Sequence, residues 1–301
     1  MFEMKKGPKP AWLKARIPGG QEYFRLKKEL TAKNLHTICQ SARCPNICQC
    51  WNDSQATFLD MGNTCTRDCL FCSVQGGRPA PLDEAEGENI LDMIDIMNAR
   101  YIVITSVTRD DLEDGGSRHF AELVKTIKAR KPGLKVEVLI PDFQGQQRFL
   151  ENIFQARPDV IGHNLETVRG LYPKVNRRPN HYDISLSVLK MSKEKGFITK
   201  SGFMLGLGET DGEVIELLAD LENQGTDLLT IGQYLQPTAK NLPVDRYYTP
   251  EEFAQLRDLA LTYGFAAVKA GPFVRSSFQA EEMVRQYLDR LAGDEQPAMS
   301  G

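Results

Sequence analysis

Cysteine is missing from the first 38 residues and from everything beyond Cys72. All seven thiols lie in CQSARCPNICQCWNDSQATFLDMGNTCTRDCLFC, residues 39–72. An odd, bunched set in a chain of 301 residues argues against a disulfide framework. Histidine is scarce too. His36, His119, His163 and His181 are the only ones, and no pair has the short spacing of zinc ligands. No apolar run approaches the length of a membrane span. A net charge of -3 leaves no global basic field of the kind nucleic-acid binding needs. The opening MFEMKKGPKPAWLKARIPGG has no apolar core or cleavage site of a secretory signal, and Glu3 and two prolines argue against a transit peptide. The expectation is a cytoplasmic protein with no nucleic-acid or membrane partner.

What is present is ordinary globular composition, 41% apolar and 26% charged. Segments 56–61, 101–107, 135–141, 159–165, 198–207 and 228–235 are short, apolar and rich in β-branched residues, as parallel strands buried on both faces are. Helical periodicity lies between them. Ile90, Leu91, Ile94 and Met97 share one face, and Phe120, Leu123, Val124 and Ile127 another. Segments 145–156, 183–195, 211–224 and 250–263 continue the alternation, the last opening with Thr249-Pro250-Glu251-Glu252. Six strand–helix units in series predict an α/β fold, a partial (β/α)6 TIM-type barrel with N- and C-terminal extensions. The expected divisions are 1–52, 53–270 and 271–301.

Cys65, Cys69 and Cys72 form C-x3-C-x2-C directly after the first predicted strand, at the strand end where parallel α/β folds carry chemistry. Three close thiolates can ligate three irons of a [4Fe–4S] cluster and leave the fourth open. A zinc site completed by a distant histidine is the alternative. Cys39, Cys44 and Cys50 form a second triplet, C-x4-C-x5-C, with Cys48 inside it as a free thiol. Two triplets imply two clusters, each one cysteine short. A two-cluster electron carrier would need eight cysteine ligands, more than the chain has.

The first triplet, with Phe71 before its last cysteine, resembles the signature of the radical S-adenosylmethionine enzymes. Joined to the second triplet, it resembles the lipoyl synthase family. KPAWLKARIPGG (9–20), CPNICQCW (44–51), FCSVQGGRP (71–79), TSVTRDDLEDGG (105–116), LIPDFQG (139–145), NLETVRGLYPKV (164–175), SGFMLGLGET (201–210), TIGQYLQPT (230–238) and GPFVRSSF (271–278) are similar to that family's segments, in order. The resemblance implies two [4Fe–4S] clusters and S-adenosylmethionine. It implies a sulfurtransferase that inserts two sulfur atoms, at C6 and C8 of a protein-bound N6-octanoyl-lysine, and consumes the second cluster. It also implies Ser277, in Arg275-Ser276-Ser277-Phe278, as that cluster's fourth ligand, although Ser276 competes and an ordinary helix cap explains the pair as well.

Expected cofactor contacts are Phe71, Thr105, Ser106, Asn164, Glu166, Met204, Gly206, Glu209 and Gln233, each also explicable as a loop residue. Implied partners are an octanoylated lipoyl carrier domain (the E2 subunit of a 2-oxoacid dehydrogenase or the glycine cleavage H protein), an electron donor such as flavodoxin or ferredoxin, and an iron–sulfur carrier for cluster repair. Lys5, Lys6, Lys9, Lys14, Arg16, Arg25, Lys27 and Lys28 form a basic run, a solvated face or a docking surface for the carrier. Asn241 and Gln279 stand where the family more often has histidine. The rivals are another radical enzyme with an auxiliary cluster and a zinc-dependent interaction module. Anaerobically reconstituted protein is expected to be brown, with broad visible absorption; a colourless, zinc-loaded protein would sink the cluster reading.

Overall fold

The computed structural model describes residues 9–294, so Lys5 and Lys6 lie outside the described residues. The strands are β1 (Thr57–Asp60), β2 (Thr64–Cys65), β3 (Gln75–Gly76), β4 (Tyr101–Ser106), β5 (Lys135–Leu139), β6 (Val160–Gly162), β7 (Ile198–Leu205), β8 (Leu228–Gln233) and β9 (Ala267–Gly271). The helices are α1 (Gln21–Ala32), α2 (Ile38–Ser41), α3 (Ile47–Asn52), α4 (Glu86–Met97), α5 (Ser117–Arg130), α6 (Gln147–Ala156), α7 (His181–Glu194), α8 (Asp211–Asn223), α9 (Pro250–Thr262) and α10 (Ala280–Asp294). Two of the helices open with complete capping boxes, Thr210 with Glu213 and Thr249 with Glu252.

The main sheet runs β1-β4-β5-β6-β7-β8-β9, every neighbour parallel and in chain order. Each strand is followed by a helix, the partial barrel expected, with one addition. β9 is a seventh strand that periodicity missed. Its sequence, Ala-Val-Lys-Ala-Gly, has one β-branched residue, and β8 alone pairs with it. Helices α1 to α3 were also absent from the expectation. They lie beside the free edge of β1, where Leu59 N–H donates to the His36 carbonyl at 2.9 Å.

Strand alternation divides the two faces. Phe58, Ile102, Ile104, Val136 and Val138 pack outward beneath α4, α5 and α6. Phe203, Leu205, Leu229 and Ile231 do the same beneath α7, α8 and α9. The inward set carries polarity. Lys200 donates to Glu137 at 2.8 Å, Tyr101 donates to the other Glu137 oxygen, and Lys200 and Glu137 are both only 2% exposed. This buried pair lies toward the strands' N-terminal ends and leaves the C-terminal ends to the cavity described below. Lys200→Met strands the Glu137 carboxylate and is expected to cost about 3–5 kcal/mol in urea unfolding. Adding Glu137→Leu should recover most of the loss; a single variant as stable as the parent would show that the pair does not brace the sheet.

Candidate active site: two cysteine triplets on one cavity

Cys65 ends β2, which pairs in parallel with β3, so the two ends of the loop at 66–74 are held together. Within the loop, the N–H groups of Arg67 and Val74 point at the sulfurs of Cys65 and Cys72, each at 3.4 Å. The Val74 donor favours the Cys72 thiolate. The loop is anchored to its surroundings by its own Arg67, which donates to Asp142 at 2.6 and 2.7 Å and to Asp110 at 2.8 and 3.1 Å. Asp142 also meets His181 Nδ1 at 3.0 Å, and these partners hold its carboxyl far below the usual range despite burial. Asn241 donates to the Leu70 and Cys72 carbonyls at 3.2 and 2.8 Å, a task an amide performs at this position. Burial pushes Cys72 up to about 12 against the Val74 N–H, and neighbouring Cys69, Glu166 and Cys65 add to the rise. Cys69 is raised by burial while Arg177 opposes it. Crowded buried thiols hold their charges badly alone, and a metal cluster would supply the missing compensation.

The second triplet has the same character. Cys39 lies in α2, Cys50 in α3 and Cys44 in the turn between, its N–H on the Cys39 carbonyl at 2.9 Å. Burial lifts Cys39 to about 11, with Cys44 adding to it; burial and then Cys39, Cys44 and Asp53 lift Cys50 to about 12. Cys48 sits two residues before Cys50, so it leaves α3 on another side. Its sulfur is 3.6 Å from the Gly19 carbonyl, where it packs the N-terminal segment.

The segment after β9 then crosses the sheet end. Asn46 donates to the Phe273 carbonyl at 2.6 Å. Val274 passes so close to β8 that a Cβ at Gly232 would lie 2.2 Å from its carbonyl oxygen. Burial raises the Cys44 thiol, and the crossing places the Arg275 guanidinium beside it, where, with the Asn46 backbone, it opposes that rise. Ser276 accepts a hydrogen bond from Asn164 at 2.6 Å. Ser277 instead lines a 510 Å³ pocket with Cys39, Cys44 and Cys50.

The first triplet, with Cys39 and Cys44 of the second, opens on a central cavity of 530 Å³ that Ser276 and Ser277 also line, whereas Cys50 faces only the smaller pocket. Six of the expected contacts line it as well: Phe71, Thr105, Ser106, Asn164, Glu166 and Met204. Three do not line it. Gln233 is fully buried and spends its amide on the Leu205, Tyr234 and Arg246 carbonyls and the Tyr248 N–H. Glu209 folds back on its own loop, accepting from the Gly206, Leu207 and Gly208 N–H groups and from Tyr248. Gly206, at φ 99°, lets the loop turn against Gln233. These three shape the loop and are not among the residues that line the cavity.

Arg177 was missed, because an arginine in a loop carries no sequence signal of burial. It lines the cavity beside Cys69 and Glu166, with a buried Nε that has no hydrogen-bond partner among the described residues. Ser106 Oγ is orphaned there too. Glu166 holds φ 70° although it is not glycine, a strain that clusters at functional sites. Thiol triplets, N–H donors aimed at sulfur and unpaired polar atoms fit iron–sulfur clusters and a polar cofactor. Gly232→Val should displace the 272–279 segment, halving bound iron by loss of the second cluster while the first keeps its spectrum. Unchanged iron content would show that the crossing is not required.

Residues 59–221 match the Radical SAM superfamily, and residues 3–44 match the N-terminal domain of lipoyl synthase of that family. The lipoyl synthase of Rubrobacter xylanophilus is 50% identical over 276 residues, 91% of this chain and 86% of that protein. That of Picrophilus torridus is 49% identical over 274 residues, 91% of this chain and 95% of its own. Among solved structures, methylornithine synthase superposes with a TM-score of 0.54 at 14% identity, covering 88% of this chain and 92% of that one, a likeness of fold. With these matches spanning nearly the whole length, the chain belongs to the lipoyl synthase family of the Radical SAM superfamily.

Proposed function

We propose that Cys65, Cys69 and Cys72 hold the radical-forming [4Fe–4S] cluster, and that Cys39, Cys44, Cys50 and Ser277 hold a second one that donates sulfur. The enzyme is a radical SAM sulfurtransferase, a lipoyl synthase, whose cofactors are S-adenosylmethionine and iron–sulfur clusters. When bound, these supply the one-electron chemistry that opens an unactivated C–H bond and the sulfur that replaces the hydrogen. The observation that carries the division of labour is the shared cavity, with one triplet on each side and Ser277 beside the second.

The chain's own residues then do the positioning. Arg177, buried next to Glu166, offers a guanidinium to a carboxylate, and Glu166 and Asn164 offer acceptors to amino or hydroxyl groups. Ser106 and Thr105 line the same wall, although Thr105 already donates to the Leu139 carbonyl at 2.9 Å. Leu59, Leu139, Ile140 and Met204 give the cavity the apolar surface that an octanoyl chain needs. Ser277 supplies oxygen, a harder and weaker ligand to iron in a cluster than thiolate, suited to a cluster that must give up sulfide. In this reading residues 9–52 and 271–294, the described parts of the two extensions, form one working unit around the barrel of 53–270.

The substrate is an octanoyl-lysine on a lipoyl carrier domain, of a 2-oxoacid dehydrogenase E2 subunit or the glycine cleavage H protein. The exposed Lys14, Arg16, Lys27 and Lys28 offer positive charge to such a domain, whereas Arg25 is already paired with Glu22. Flavodoxin or ferredoxin serves as reductant and an iron–sulfur carrier as the source of repair. No helix among the described residues is long and apolar enough to cross a membrane, in keeping with a cytoplasmic enzyme.

The test is the mass of an octanoylated carrier domain after anaerobic incubation with reconstituted enzyme, S-adenosylmethionine and a strong reductant. Gain of two sulfur atoms is expected. Cys44→Ala should abolish the gain while cofactor cleavage continues, and Ser277→Ala should damage the second cluster more than Ser276→Ala. Cleavage without sulfur gain, on several carriers and with both clusters loaded, would overturn the substrate assignment.

A further inference from the structure

The corner between β1, α4 and α5 holds a cluster that the cysteine chemistry does not use. Asp60 is the last residue of β1, Glu86 opens α4, and His119 lies in the first turn of α5. Asp60 shares the outward face of β1 with Phe58, so its carboxylate lies under the helices and away from the cavity. Asp60 is 0% exposed and Glu86 4%. One donor atom from each carboxylate and one from the imidazole lie within 4.8 Å of one another.

The partners of these groups are incomplete. His119 Nε2 stands 3.3 Å from Asp60 Oδ1, and the Met61 N–H donates to Glu86 Oε2 at 2.9 Å. Asp60 Oδ2 is buried with no hydrogen-bond partner among the described residues. Arg109, which also bears on His119, is committed to Asp111 through two hydrogen bonds, each of 2.9 Å. Two buried carboxylates side by side need either a shared proton or a cation between them. Burial, followed by the charge of Asp60, raises the Glu86 carboxyl. A surface pocket of 230 Å³ reaches His119 past Leu82, Leu112 and Arg118, so an ion has a path in.

We propose that Asp60, Glu86 and His119 bind one divalent transition-metal ion, separate from the iron–sulfur sites, that ties β1 to α4 and α5. Two carboxylate oxygens and one imidazole nitrogen form a donor set suited to Zn²⁺, Mn²⁺ or Fe²⁺, with water completing the shell. The orphaned Asp60 oxygen gains a partner, and His119 turns from a long hydrogen bond to a ligand. Because β1 runs straight into the loop bearing Cys65, the ion braces the strand that delivers the first triplet.

Cluster-loaded enzyme, cleared of loose metal with a chelator, would be titrated anaerobically with Mn²⁺ alone, read by EPR, and then competed with Zn²⁺. The expected result is about one tight equivalent per chain, displaced by Zn²⁺ and weakened at least tenfold in both Asp60→Asn and His119→Gln. Visible cluster absorption should stay unchanged in both variants. His119→Gln, at a part-exposed position, carries the test alone if Asp60→Asn fails to fold. Absence of Mn²⁺ and Zn²⁺ binding, or equal binding by the parent and the folded variants, would overturn the site and leave a proton shared between the carboxyls.

Discussion

The second half of the active site depends on one close backbone contact. Where Val274 crosses β8, only the missing side chain of Gly232 lets the two backbones approach. Asn46 then ties the crossing segment to the cysteine-bearing turn through the Phe273 carbonyl. Residues more than two hundred positions apart in sequence thereby become neighbours, with Arg275 and Ser277 set against Cys39, Cys44 and Cys50. A side chain at 232 would push Ser277 off the triplet without altering any cysteine.

The first triplet is held by a different kind of force. Its loop is short, rich in polar residues and placed on the rim of the sheet, so packing alone would leave it loose. Charge does the anchoring instead, through Arg67 between Asp110 and Asp142, with His181 behind. These partners sit after β4 and β5 and at the head of α7, so the loop is referenced to three separate strand–helix units. The two halves thus use complementary means. One is fitted by steric approach and the other is clasped by ion pairs, and both face a single cavity of 530 Å³.

Much of this was legible in the chain. Buried parallel strands announce themselves as short apolar runs, and the helices between them showed a clear face, so six units and their order could be read directly. β9 escaped because an edge strand of small residues and a lysine needs only one neighbour and carries no apolar run. The thiol spacing marked both triplets, since ligands to one cluster must be close and local loops make them so. The place of Gln233 and Glu209 could not be read from the chain, for a physical reason. A polar side chain at a strand end is equally fit to bind a ligand or to satisfy backbone groups, and only the surrounding carbonyls and N–H groups decide which.

The sequence by itself therefore determined the fold class, the two cysteine triplets as local spacings along the chain, and the family. Each is a local pattern, carried by periodicity or spacing. Tertiary structure alone decided that Ser276 meets Asn164 while Ser277 joins the second triplet, that Cys48 is turned toward Gly19, and that Arg177 is buried in the cavity. It also brought Asp60, Glu86 and His119 together from one strand and two helices. Those outcomes depend on side-chain direction across elements distant in sequence, a quantity that no local pattern encodes.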